Sequence, residues 1–134
     1  MTNNQPPEWV TTYAQDCRQL LGIGDEWHIT IQMSDKPNGS EEAGGSVDID
    51  AQYLNAVMEL RHDCFTEEDD QAHQIILHEM MHIGLASFRM VVDQLFLRMP
   101  DDMQTLGRIM VDQAEEQYIQ RTSRAVLRML KPTE

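Results

Sequence analysis

Cysteine is scarce in this 134-residue chain: Cys17 and Cys64 are the only two, far apart and in no paired spacing. That excludes a disulfide framework and a cysteine-based zinc site, and points to a reducing, cytoplasmic setting. Basic residues are few as well, 10 Lys and Arg against 23 Asp and Glu, for a formal net charge of −13. Such a balance disfavours DNA, RNA or an anionic membrane as partners, because these polyanions repel it at long range. No apolar run approaches the roughly 20 residues that cross a bilayer. No basic stretch followed by an apolar core and a cleavage site opens the chain, so a secretory leader is not expected. Internal repeats and low-complexity tracts are missing too. What is present is ordinary globular usage, 41% apolar and 25% charged, which at this length predicts one domain over 1–134 with its own core. The acidity is uneven. Residues 1–107 carry 5 basic and 19 acidic side chains, whereas 108–134 carry 5 and 4, so the arginines of the last segment can meet the acidic body or an acidic partner.

The polar, proline-punctuated stretch 1–7 is expected to fray. Glu8 to Leu21 reads as a helix, with Trp9, Val10, Tyr13, Cys17, Leu20 and Leu21 at spacings of three and four, closed by Gly22 and Gly24. Trp27 to Met33 alternates as a half-buried strand does, residues 34–45 are turn-rich, and Ser46–Asp50 and Asn55–Arg61 give two further strand-like runs. From Thr66, a good N-cap followed by Glu67–Asp70, the pattern turns helical. Ile75 to Leu85 is apolar on nearly every side, as in a central buried helix. Val91 to Met99 continues it, as an extension or after a bend, until Pro100. A last helix spans about 102–130, capped by Asp101 or Asp102. The expected fold class is α+β: a helix, a short three-stranded sheet, a buried helix and a long C-terminal helix.

The buried helix contains His78-Glu79-Met80-Met81-His82, an H-E-x-x-H pattern. Residues four apart share a helix face, so both imidazoles can reach one metal ion without distorting the backbone. Glu79 projects to one side, where it can take a proton from a water that zinc has acidified, readying it to attack a polarised carbonyl. Two imidazoles and a carboxylate in an otherwise apolar helix are costly to bury unpaired, and a metal with its water satisfies all three. The bland alternative makes His78 and His82 hydrogen-bonded core histidines with Glu79 exposed at an edge.

Catalytic zinc usually takes three protein ligands. The extended H-E-x-x-H-x-x-G-x-x-H form fails, because Leu85 stands where Gly is required and Phe88 where the third His is required. The last helix offers Asp112, Glu115 and Glu116. At 100° per residue, its apolar positions Tyr118, Ile119, Ala125, Val126, Met129 and Leu130 centre on the direction of Glu115, with Glu116 about 100° away. Glu115 is therefore the expected third ligand, against the alternative that Glu115-Glu116 is a solvated acidic pair. Tyr118, one turn beyond, is read either as an oxyanion donor or as core packing with its hydroxyl at the rim. His62 and His73 are read as surface histidines. Met80, Met81, Met90, Met99, Met103, Met110 and Met129 are read as core fillers, with a Met-rich peptide groove as the alternative.

His78-Glu79-x-x-His82, with a carboxylate from a later helix that carries Glu115-Glu116-Gln117-Tyr118-Ile119-Gln120-Arg121, resembles the minimal gluzincins. These include small phage- and prophage-encoded metallopeptidases and, more distantly, ImmA/IrrE-type peptidases. The likeness covers roughly residues 8–130, although only H-E-x-x-H is a strict motif. It implies a zincin-like fold, zinc on His78, His82 and the last-helix Glu, and Glu79 as general base acting on a protein or peptide substrate. It also implies that the strand before the active helix, Asn55–Arg61, lies at the sheet edge, where an extended substrate can pair with it. Two other readings stay open: a non-catalytic zinc-binding structural or interaction module, and an acidic, metal-free interaction protein.

Overall fold

The computed structural model describes residues 5–39, 44–62 and 70–130. Helix α1 (Glu8–Leu20) forms because Val10, Ala14 and Cys17 recur at spacings of four and three and are buried on one face. Leu20, expected on that stripe, is 53% exposed, since it is rotated off the face that Cys17 defines. The helix ends in a Schellman turn: Gly22 takes φ +68°, its N–H bonds Gln19 O, and Ile23 N–H bonds Arg18 O. The Arg18 guanidinium then donates to the carbonyls of Gly24 and Trp27, pinning the loop that leads into the sheet.

Strands β1 (His28–Ser34), β2 (Gly45–Asp50) and β3 (Asn55–Arg61) form a mixed sheet in the order β1-β3-β2. β3 runs parallel to β1 and antiparallel to β2. Alternation sends Ala56, Met58 and Leu60 into the core, beside Met33 of β1 and Val47 and Ile49 of β2. This corrects the expectation for Asn55–Arg61. It is the central strand, because the apolar residues of both neighbours need it between them, and β1 and β2 are the edges.

Helix α2 (Asp70–Phe96) lays Ile76, Leu77, Met80, Met81 and Ile83 on the sheet and α1. It is one unbroken helix, which settles extension over bend at Val91. By length and composition alone α2 passes for a membrane span, with a mean hydropathy of 1.3 over its best window. The apolar residues that raise this average, Ile76, Leu77, Met80, Met81 and Ile83 among them, are packed into the core, and a core helix passes the same test. Helix α3 (Asp101–Leu130) returns antiparallel after Pro100, with Ile119 and Ser123 fully buried. Asp101 and Asp102 both lie inside its first turn, where the helix dipole favours them, rather than capping it. Thr66, Cys64 and Glu67–Asp69 fall outside the described residues.

The main core takes no residue of α2 beyond Ala86. Past that point Phe88, Val91 and Leu95 of α2, and Met103, Leu106 and Met110 of α3, are each more than half exposed. The expectation of methionine as core filler holds for Met80 and Met81. It fails for Met90, Met103, Met110 and Met129, which lie exposed on α2 and α3, and for Met99, exposed in the turn between them.

Candidate metal centre

One helix spacing and one helix crossing assemble the site. His78 and His82 stand one turn apart on α2, their ring centroids 5.1 Å apart. Helix α3 crosses α2 so that Ile119 packs inward, which brings the turn before it, Glu115-Glu116, over the two rings. Glu116 reaches both imidazoles: its Oε2 lies 3.4 Å from His78 Nε2 and its Oε1 lies 2.7 Å from His82 Nε2. Among the described residues, His78, His82 and Glu116 are the group whose ligand atoms all lie within 4.8 Å of one another. Two imidazole nitrogens and a carboxylate oxygen match the donor set that zinc takes in catalytic sites. Tetrahedral bonds of about 2.0 Å would set such donors about 3.3 Å apart, close to the His78–Glu116 separation, whereas the 2.7 Å His82–Glu116 contact would open slightly to admit an ion.

The expected third ligand, Glu115, is brought to His82 but not into this group. Its Oε2 lies 3.4 Å from Nδ1, the other ring nitrogen, and 3.5 Å from Arg89 Nη1. The periodicity argument located the buried acid correctly, since the Glu115 side chain is 18% exposed against 49% for Glu116. It misjudged the reach: the more exposed acid, at the border of the face, is the one that spans both rings. Sequence reasoning also passed over Arg89, seven residues after His82 and hence on the same side of α2. Its guanidinium contacts Asp112, Glu115 and Asp93, and Asp93 is shared with Arg108. Burial works against the Arg89 charge, but these carboxylates outweigh it and hold the proton more tightly than usual.

Glu79, on the neighbouring side of α2, is buried at 8% exposure rather than exposed at an edge. Burial is the main force on its carboxyl and pushes the pKa up to about 7; nearby His82 opposes this and Glu116 adds to it. Burial likewise lowers the pKa of His78, while Glu116 works the other way and His82 adds to the fall. Both effects favour the uncharged imidazole, the form that binds metals, and a carboxyl able to exchange a proton near neutrality.

Two grooves flank the histidine pair, one lined by His82 and the other by His78, and edge strand β2 walls both. One, of about 660 Å³, runs between Asp48 to Gln52 and the α2 residues His82, Ala86 and Arg89. The other, of about 530 Å³, lies between Gly44-Gly45 and His78, Glu79, Gln120 and Arg124. Gly45 is required there, because a Cβ would come within 2.7 Å of Ile75, one turn before His78.

The remaining singled-out residues lie apart. Tyr118 is 55% exposed and lines neither groove, since it precedes Ile119 and points about 100° off the buried face. His73, expected at the surface, is half-buried, its ring 4.5 Å from that of Tyr13 and 5.1 Å from that of Trp9, because α1 covers this side of α2. His62 is half-buried at the end of β3 and outside the ligand group. Comparison with protein-family models, with curated proteins and with solved structures gave no match.

Proposed function

We propose that this protein is a zinc-dependent hydrolase of peptide bonds, a metallopeptidase of the gluzincin kind, with His78, His82 and Glu116 as metal ligands and Glu79 as general base. The observation that carries the reading is the convergence of three ligand side chains from two helices beside a buried carboxyl, with a groove on either side. Zinc bound there would supply Lewis acidity, acidifying a water and polarising the scissile carbonyl. The chain's own residues do the rest. Glu79, held in a desolvated position on the groove side of α2, accepts a proton and returns it to the leaving amine. β2, an edge strand along both grooves, offers backbone groups to an extended peptide, a role closed to Asn55–Arg61 because that strand is paired on both sides. The polypeptide substrate thus lies between β2 and α2.

The test combines metal content with the variant Glu79→Gln. Protein purified from zinc-supplemented medium is expected to hold one zinc per chain by elemental analysis, and E79Q to hold the same amount. Cleavage of an unfolded protein substrate is expected to fall by about 10²–10⁴-fold in E79Q. Full cleavage by E79Q would sink the mechanism, and metal-free protein would sink the site.

A further inference from the structure

The imidazole of His82 lies between two carboxylates that are neighbours in sequence. Its Nε2 is 2.7 Å from Glu116 Oε1, and its Nδ1 is 3.4 Å from Glu115 Oε2. The ring nitrogens point apart, so a carboxylate on each restrains the rotation of the ring. A neutral imidazole that gives Nε2 to a metal keeps its one proton on Nδ1, and that proton needs an acceptor. Glu115 is the acceptor by position, and its side chain is shielded enough, at 18% exposure, for water to compete poorly. Nor is Glu115 itself loosely placed. Arg89 Nη1 lies 3.5 Å from the same Oε2, while Nη2 of that guanidinium is taken by Asp112 and Nε by Asp93. A planar fork engaged by three carboxylates has little freedom left, and it stands on the same face of α2 as His82.

We propose that Glu115 is a positioning residue of the metal centre: it accepts the Nδ1 proton of His82, fixes the tautomer and ring rotation that present Nε2 to the ion, and is itself held by Arg89. The adjacent acids thus divide the work, Glu116 toward the metal and Glu115 toward the back of its ligand. This inference rests on the reading of His78, His82 and Glu116 as zinc ligands.

The experiment uses the full chain with zinc alone as the probe. Zinc affinity is measured by competition with a chromophoric chelator, and the imidazole resonances of the zinc-loaded protein by ¹H–¹⁵N spectroscopy. Two variants are compared, Glu115→Gln, which keeps the shape of the side chain, and Glu115→Leu, each first checked for wild-type circular dichroism. If Glu115→Leu does not fold, Glu115→Gln decides. Affinity is expected to fall about 10-fold in E115Q and up to about 100-fold in E115L, with one zinc per chain retained. The Nδ1–H resonance of His82 is expected to move upfield and exchange faster, while that of His78 stays in place. Glu116→Gln, by contrast, should weaken binding further and disturb both rings. Unchanged affinity with an unchanged His82 resonance overturns the inference. Loss of zinc as complete as in His82→Ala also overturns it, by making Glu115 a ligand. Wild-type protein that takes up no zinc is a separate result: it brings down the ligand reading itself, and the role of Glu115 with it.

Discussion

Glu79 couples the candidate chemistry to the stability of the metal-free fold. Its pKa of about 7 lies above the ordinary 4.5, so the folded state holds a proton there that the unfolded chain releases. The sign follows. Below about pH 4.5 the group costs nothing, between 4.5 and 7 the cost grows, and above 7 it is constant. E79Q is therefore expected to stabilise the metal-free protein by about 2–3 kcal/mol at pH 8, with the gain shrinking to nothing near pH 4.5. Chemical denaturation of both proteins across this range checks it, and a difference independent of pH would exclude ionisation as the cause. Cys17 makes a second case. Burial is the main reason its thiol is pushed up to about 12; Tyr13 opposes the shift and Asp16 adds to it. Cys17 in the folded protein is expected to resist alkylation at pH 8, as read by peptide mass mapping, and to react on unfolding.

The elements divide into those that hold the site and those that leave surface bare. β2 approaches α2 this closely because Gly45 has no side chain: a Cβ there would come within 2.7 Å of Ile75. Gly45→Ala is expected to destabilise by about 1–3 kcal/mol in denaturant titration and to weaken zinc binding, since Ile75 lies one turn from His78. Beyond Ala86 the α2–α3 hairpin makes one such demand, at Gly107, where a Cβ would come within 2.6 Å of the buried Phe96 ring, and otherwise leaves much of its surface bare. Leu106, at 60% exposure, touches no described layer of the core. Leu106→Glu should leave the thermal midpoint within about 2 °C, whereas Ile119→Ala, with the side chain fully buried, should cost about 2–4 kcal/mol. Equal effects of the two would mean that the hairpin is packed in a way the monomer does not reveal.

At the scale of the molecule, −13 charges on 134 residues repel one another in the folded state more than in the expanded chain. Raising sodium chloride from about 10 to 200 mM in metal-free buffer is expected to raise the thermal midpoint by roughly 3–5 °C, as the screening length shortens. A falling midpoint would show that ion pairs such as those of Arg89 outweigh the net repulsion.

What could be read from the residues alone were the features whose cause is local. The His78–His82 spacing, the stop at Gly22, the alternation of Asn55–Arg61 and the burial of Glu115 all follow from a 3.6- or two-residue period; α1, the three strands and α3 lie within a residue of their expected places, while α2 ends at Phe96, three residues before the expected Met99. What depended on the crossing of separate elements was not legible. The sheet order put β3 in the middle, the α2–α3 crossing gave the rings' shared carboxylate to Glu116 and their remaining neighbour to Glu115, and the ending of the core at Ala86 left the later methionines bare. Periodicity says which way a side chain points from its own axis. Only the packing of one axis on another says what it meets.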